Sequence, residues 1–263
     1  MMVFIFLLGL LVGSFLNVLV DRLPREESLI WARSRCDRCK KNLKWYDLIP
    51  LLSFIFLKGK CRYCRMRISL YYPVVELATG VLFILTFLFL GIMNPFGLAQ
   101  GGHELRIMDL GYYLFLVSSL IVIFFADLKY GIIPDKIIFP SIVVSLIYLF
   151  LIHNSLFLIH ILAALGASLF FLILFLVTRG RGMGFGDVKF AFLMGLVLGF
   201  PDIVFALYIA FLTGAIIGCI LIVWRKKRVF GTTIPFGPFL VIGTLISIFF
   251  GDILQNLLRA LLL

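Results

Sequence analysis

Apolar residues run along this chain in long unbroken stretches, separated by short segments that hold most of the charge. The stretches show neither the two-residue alternation of a half-buried strand nor the narrow stripe of a surface helix. Several reach roughly 17 to 23 residues, the length a helix needs to cross a hydrocarbon core of about 30 Å. They predict eight spans, at 1–20, 72–94, 110–126, 137–152, 156–178, 188–200, 203–224 and 235–251. The sixth is short, and only Pro201-Asp202 divides it from the seventh, so a seven-span reading is the alternative. A membrane β-barrel would alternate in segments of about ten residues. The fold class is therefore an all-α polytopic membrane protein. The first stretch lacks a basic start and a clear cleavage site, so it reads as a retained helix rather than a signal peptide.

Between spans, one segment is long enough to be a small domain: residues 21–71. The chain thus divides into a first helix (1–20), a cytoplasmic tetra-cysteine domain (21–71) and a transmembrane remainder (72–263). The segment 95–109, with Pro95, Gly97, Gly101 and Gly102, reads as an irregular external turn.

Composition supports the membrane reading. The chain is 63% hydrophobic and 14% charged, against about 25% charged in a soluble domain. A net charge of +11 would suggest nucleic acid in a soluble protein. Here it fixes orientation, and no nucleic-acid partner is expected. With 21–71 placed inside, 22 of the 24 Lys and Arg lie inside, including Lys129, Lys136, Arg179, Arg181, Lys189 and the run Arg225 to Arg228. Only Arg106 and Arg259 lie outside. This one-sidedness is the positive-inside pattern of a cytoplasmic membrane protein. It places both termini outside and implies an even number of spans. The 21–71 segment carries +8 and should lie against anionic lipid headgroups.

That segment holds Cys36 and Cys39 in one CxxC pair, and Cys61 and Cys64 in another. Four thiolates at this spacing suit a closed, tetrahedral, structural Zn²⁺. Reduced thiols or a redox pair are the alternatives. Cys219 stands alone in the seventh span and reads as a small buried hydrophobe.

Carboxylates in or beside spans are few: Glu76, Asp127, Asp135 and Asp187. The three aspartates fall on the cytoplasmic side, near one depth. Ionisable groups there are costly and are functional candidates. Two adjacent aspartates share a proton, so one activates water while the other protonates the carbonyl or leaving amine. Asp187 follows GMGFG, and Gly184 and Gly186 read as giving the backbone freedom and room for a substrate strand. The residues alone leave both Asp127 and Asp135 as its partner. Asp135 after Pro134 reads equally as a helix cap. Glu76 reads as part of a polar cluster or as the partner of an interfacial Lys or Arg. There is no HExxH or GxSxG motif.

The ordered set GSFLNVLVDRLPRE, the paired CxxC motifs around LIPLLSF, YYPVVE, DLKYGIIPD and GMGFGDVK resembles the prepilin peptidases, or type IV leader peptidases, of the GxGD aspartyl protease group. The resemblance implies Asp127 and Asp187 as the catalytic pair. It implies cleavage of the basic leader from type IV prepilins and pseudopilins after a glycine, at the cytoplasmic face of the bacterial inner membrane. It further implies N-methylation of the new amino terminus with S-adenosyl-L-methionine. No S-adenosylmethionine fingerprint is visible in 21–71. A proton- or cation-coupled transporter is the competing reading, but it favours mid-membrane acids and inverted repeats.

Overall fold

A computed structural model of the chain describes residues 1–28, 34–36, 38–93, 103–152, 154–180, 182–224 and 235–262. Arg181, the Arg225 to Arg228 run, His153 and the first part of the 95–109 turn lie outside the described residues.

Among the described residues the α-helices are α1 (Met2–Arg22), α2 (Leu52–Phe56), α3 (Tyr71–Met93), α4 (His103–Tyr130), α5 (Asp135–Ile152), α6 (Phe157–Val177), α7 (Phe185–Leu198), α8 (Asp202–Trp224) and α9 (Gly237–Leu262). Eight of them match the eight predicted spans. Six are long and apolar enough to cross a membrane: α1, α3, α4, α5, α6 and α8. The seven-span alternative fails, because Gly199 to Pro201 separates α7 from α8. Residues 103–109 belong to α4, so the irregular turn expected at 95–109 is shorter than the sequence suggested. Helix α9 runs eleven residues past the predicted end.

The chain forms two compact units, Met1–Phe125 and Ala126–Leu263. In the first, α1 packs along α3. The two backbones meet where Gly9 lies against Gly80 and Gly13 against Glu76. Small residues are the usual means of close helix approach in membranes, where lipid competes with every larger apolar side chain.

In the second unit α6 packs on α7, α8 on α9, and α5 on α7. Leu149, Ala164 and Leu196 form one buried cluster of α5, α6 and α7. The outer faces are as apolar as the inner ones. On α5 the exposed residues are Phe139, Val143, Ile147 and Phe150; on α6 they are Leu158, Leu162, Leu165 and Leu169. Rows of exposed apolar side chains at helical spacing suit lipid as solvent, not water. Cys219 is exposed on α8, which corrects the expectation that it is buried.

Helix α7 is the exception. Its 14 residues extend about 21 Å, less than the about 30 Å that a lipid-surrounded helix needs. Nine of the 14 are buried, among them Val188, Phe190, Leu193, Met194 and Leu196. Protein replaces lipid around it, so span length does not constrain it. Its first turn carries Asp187.

Candidate active site and metal centre

Asp127 and Asp187 lie in the same unit, are both buried, and interact electrostatically. Each is held by a helix N-terminus. Asp187 is the third residue of α7, and its Oδ2 accepts the N–H of Gly184 at 3.1 Å. The Asp187 N–H in turn donates to the Gly184 carbonyl at 3.1 Å. The carboxylate thus reaches back over the first turn, where unpaired N–H groups and the helix dipole favour negative charge.

Asp127 sits one turn before the C-terminus of α4, which by itself repels negative charge. The helix stops at Gly131, whose φ of +65° closes the terminus as Gly131 N–H donates to the Asp127 carbonyl at 2.8 Å. The Asp127 side chain finds its partner elsewhere. Its Oδ2 accepts the N–H of Gly237, the first residue of α9, at 2.9 Å. The Phe236 ring fixes that start by lying 5.1 Å from Phe211 and 6.3 Å from Phe171. The positive end of α9 offsets the negative end of α4.

Gly237 was not singled out from the sequence. Its role is carried by a backbone N–H, which no side-chain pattern reveals. The signal that stood in the chain is the Gly-Pro pair at the head of an apolar run, a helix start. A Cβ at Gly237 would lie 2.5 Å from Asp127 Oδ2 and 3.0 Å from its Cγ. Gly237→Ala is therefore expected to displace the carboxylate and to lower kcat for whatever peptide hydrolysis the aspartates carry out by about 100-fold. Zinc content should be unchanged. Steady-state cleavage by the purified variant checks this, and a wild-type kcat would refute it.

The glycines before Asp187 have simpler geometry than the sequence implied. Gly184 is extended (φ −79°, ψ 150°), and the left-handed residues lie earlier, at Arg179 (φ 51°) and Gly180 (φ 70°). Close approach is real at Gly186, where a Cβ would lie 3.1 Å from the Ile133 side chain.

Asp135 is the first residue of α5 rather than its cap. Its two carboxylate oxygens accept from Lys189 Nζ at 2.7 and 2.8 Å. That ammonium also lies 5.5 Å from the Phe139 ring and 5.3 Å from the Phe185 ring. Asp135 is thus committed to a cation on α7, while Asp127 is the aspartate in electrostatic reach of Asp187.

The four cysteines of the first unit come together as expected. The sulfurs of Cys36, Cys39, Cys61 and Cys64 all lie within 4.8 Å of one another, with Cys36 and Cys64 at 3.9 Å. A tetrahedral centre with Zn–S bonds of about 2.3 Å requires S···S of about 3.8 Å. Two matching turns build the site. Lys40 N–H donates to the Cys36 carbonyl at 2.9 Å, and Arg65 N–H to the Cys61 carbonyl at 2.9 Å. Lys40 and Arg65 share a left-handed φ of 56° and 55°. Backbone N–H donation, from Cys39 foremost, outweighs burial and brings the Cys36 thiol down to about 7. The donor set and its geometry fit zinc.

Comparison with known proteins matches these features to one family. Residues 7–90 match the bacterial peptidase A24 N-terminal domain, and residues 114–219 match the type IV leader peptidase family. A Bacillus subtilis (strain 168) protein named prepilin leader peptidase/N-methyltransferase is 30% identical over 254 residues, covering 96% of this chain and 95% of its own. A Pseudomonas aeruginosa protein of the same name is 33% identical, covering 94% and 89%. One from Myxococcus xanthus is 34% identical over 84% of this chain, which spans 63% of that relative's length. No solved structure gives a significant match. On these matches, the chain belongs to the type IV leader peptidase family.

Proposed function

We propose that this protein is a membrane-embedded aspartyl endopeptidase and N-methyltransferase of type IV prepilins and related pseudopilins. It cuts the basic leader after a glycine at the cytoplasmic face of the bacterial inner membrane, with both termini outside. It then methylates the new N-terminal residue. The observation that carries the peptidase half is the buried pair Asp127 and Asp187, each steadied by a helix N-terminus.

Asp127 and Asp187 divide the chemistry. One, ionised, takes a proton from the attacking water. The other, protonated, gives its proton to the scissile carbonyl and, as the tetrahedral intermediate collapses, the leaving amine takes one. The pair titrates as a unit. The Gly184 and Gly237 N–H groups hold the carboxylates in place through this exchange. Gly184 leaves room for the substrate strand beside Asp187, where a Cβ would meet nothing closer than 3.7 Å, whereas Gly186 is closed off by Ile133.

Cys36, Cys39, Cys61 and Cys64 would hold a zinc ion that closes the 21–71 loop without a free coordination position. The loop's basic charge and the exposed Trp45, Leu52, Ile55 and Phe56 suit the headgroup boundary of an anionic leaflet. S-adenosyl-L-methionine, when bound, supplies an electrophilic methyl group. Purified protein in lipid, given a prepilin and labelled S-adenosylmethionine, is expected to release the leader and then label the mature amino terminus. An uncut prepilin would overturn the reading.

A further inference from the structure

The first unit contains a buried carboxylate that leader cleavage does not use. Glu76 lies in the second turn of α3, about 7 Å along the helix from Tyr71, and is buried at 8% exposure. One oxygen, Oε2, accepts the N–H of Leu51 at 2.9 Å. Leu51 holds a positive φ of 57°, a conformation costly for leucine and found where function or packing enforces it. The Ser14 hydroxyl stands between the Glu76 carboxylate and the Leu48 carbonyl, 3.4 Å away. Among the described residues, no Lys, Arg or His forms an ion pair with Glu76. A buried carboxylate with only neutral donors is unfavourable by itself and favours a cation that arrives from outside.

A second acceptor stands one helical turn from Ser14. Asn17 is buried at 6% exposure. Its Nδ2 donates to the Tyr72 carbonyl at 3.1 Å, which fixes the amide's orientation. Its Oδ1 has no donor. Ser14 faces Glu76, and Asn17 faces Tyr72, one turn earlier on α3. Both sets of free lone pairs therefore line one short stretch of the α1–α3 seam.

We propose that Glu76, Ser14 and Asn17 seat the α-ammonium of the cleaved pilin, the methyl acceptor, and that Glu76 takes its proton. This rests on the methyltransferase half of the proposed function. An ammonium brings both things the site lacks: a positive charge and three N–H donors. A sulfonium brings the charge but no donor, and would leave Asn17 Oδ1 unsatisfied. In the reaction the ammonium passes one proton to Glu76. The freed nitrogen lone pair forms the N–CH₃ bond as the C–S bond of the sulfonium donor breaks, its electron pair remaining on sulfur. Glu76 then releases the proton to water.

The test is equilibrium binding of two pilin N-terminal peptides to full-length protein in lipid discs, one with a free amine and one N-acetylated. Wild-type protein should bind the free amine about tenfold more tightly. Glu76→Gln should bring the two within about twofold, leave S-adenosylmethionine binding unchanged, and lower methyl transfer at least about 100-fold. Glu76→Asp, which keeps the charge, should retain the discrimination. If Glu76→Gln fails to fold, judged by lost zinc, Asn17→Ala carries the test and must lower the discrimination severalfold. Undiminished discrimination in the variant would overturn the proposal. So would a loss of S-adenosylmethionine binding with amine discrimination intact, which would assign the carboxylate to the donor's own ammonium. If wild-type protein transfers no methyl group, the methyltransferase reading fails, and the binding comparison still decides the role of Glu76.

Discussion

Asp127→Asn and Asp187→Asn are each expected to lower prepilin cleavage by about 10⁴-fold or more, with zinc content and thermal unfolding close to wild type. The magnitude follows from the way catalytic groups act as a unit, so that losing one member costs nearly as much as losing both. An amide is nearly isosteric with a carboxylate, and its oxygen can still accept the Gly237 or Gly184 N–H. What the amide cannot do is accept a proton from water or hand one to the leaving amine. The effect should therefore appear in kcat with little change in KM. Asp135→Asn is the contrasting variant. It weakens a part-exposed ion pair with Lys189, worth about 1 kcal/mol or less, and cleavage should stay within about threefold of wild type. Cleavage assays on the three purified variants with one prepilin decide the matter. Full activity in either Asp127→Asn or Asp187→Asn would refute the pair, and loss confined to Asp135→Asn would reassign the partner.

The spans were legible because lipid imposes a length and forbids unpaired backbone, so helices appear as unbroken apolar runs. That rule is weakest for α7, which protein rather than lipid surrounds. Its true start at Phe185, three residues before the apolar run, puts Asp187 inside the first turn. The aspartates were visible because a carboxylate in such surroundings is rare. Choosing between Asp127 and Asp135 was beyond spacing alone. The choice depends on Lys189 occupying Asp135 and on the head of α9 meeting Asp127, both long-range contacts. Gly237 stayed hidden for the same reason, since its contribution is an N–H and an absent methyl. Glu76 read from the sequence as part of a polar cluster or as the partner of an interfacial Lys or Arg. The structure favours the first and gives it the Leu51 N–H, a donor set by a strained turn that residue types do not announce.

Removing the metal should have the other large effect, and on the other activity. Purified protein is expected to hold one zinc per chain, and Cys61→Ser to hold almost none. Cys61 is the most buried of the four ligands, at 4% exposure, so its loss opens the centre from within. Residues 34–68 have few other means of staying folded. They offer two isolated β-bridges, a 3₁₀ turn at Trp45–Leu48, the five-residue α2 and the Arg62–Asp47 pair at 2.7 Å. A structural zinc site contributes about 10–16 kcal/mol of binding free energy, coupled directly to folding. The short elements of a small loop cannot replace that. The loop of the variant, or of chelated wild-type protein, should become sensitive to protease while the helices remain intact. Because Leu51 and Leu48 of this loop stand over Glu76 and Ser14, methyl transfer should fall about 100-fold or more. Cleavage should fall by less than about tenfold, because the aspartates and their backbone donors all belong to residues 126–263. Protons compete with zinc for the thiolates. With Cys36 at about 7, zinc retention should weaken as pH drops below neutral. Metal analysis with parallel cleavage and transfer assays checks each part. Zinc-free protein that keeps full methyl transfer would show that the loop needs no metal. Cleavage that fell as far as transfer would show that the peptidase depends on the loop as well.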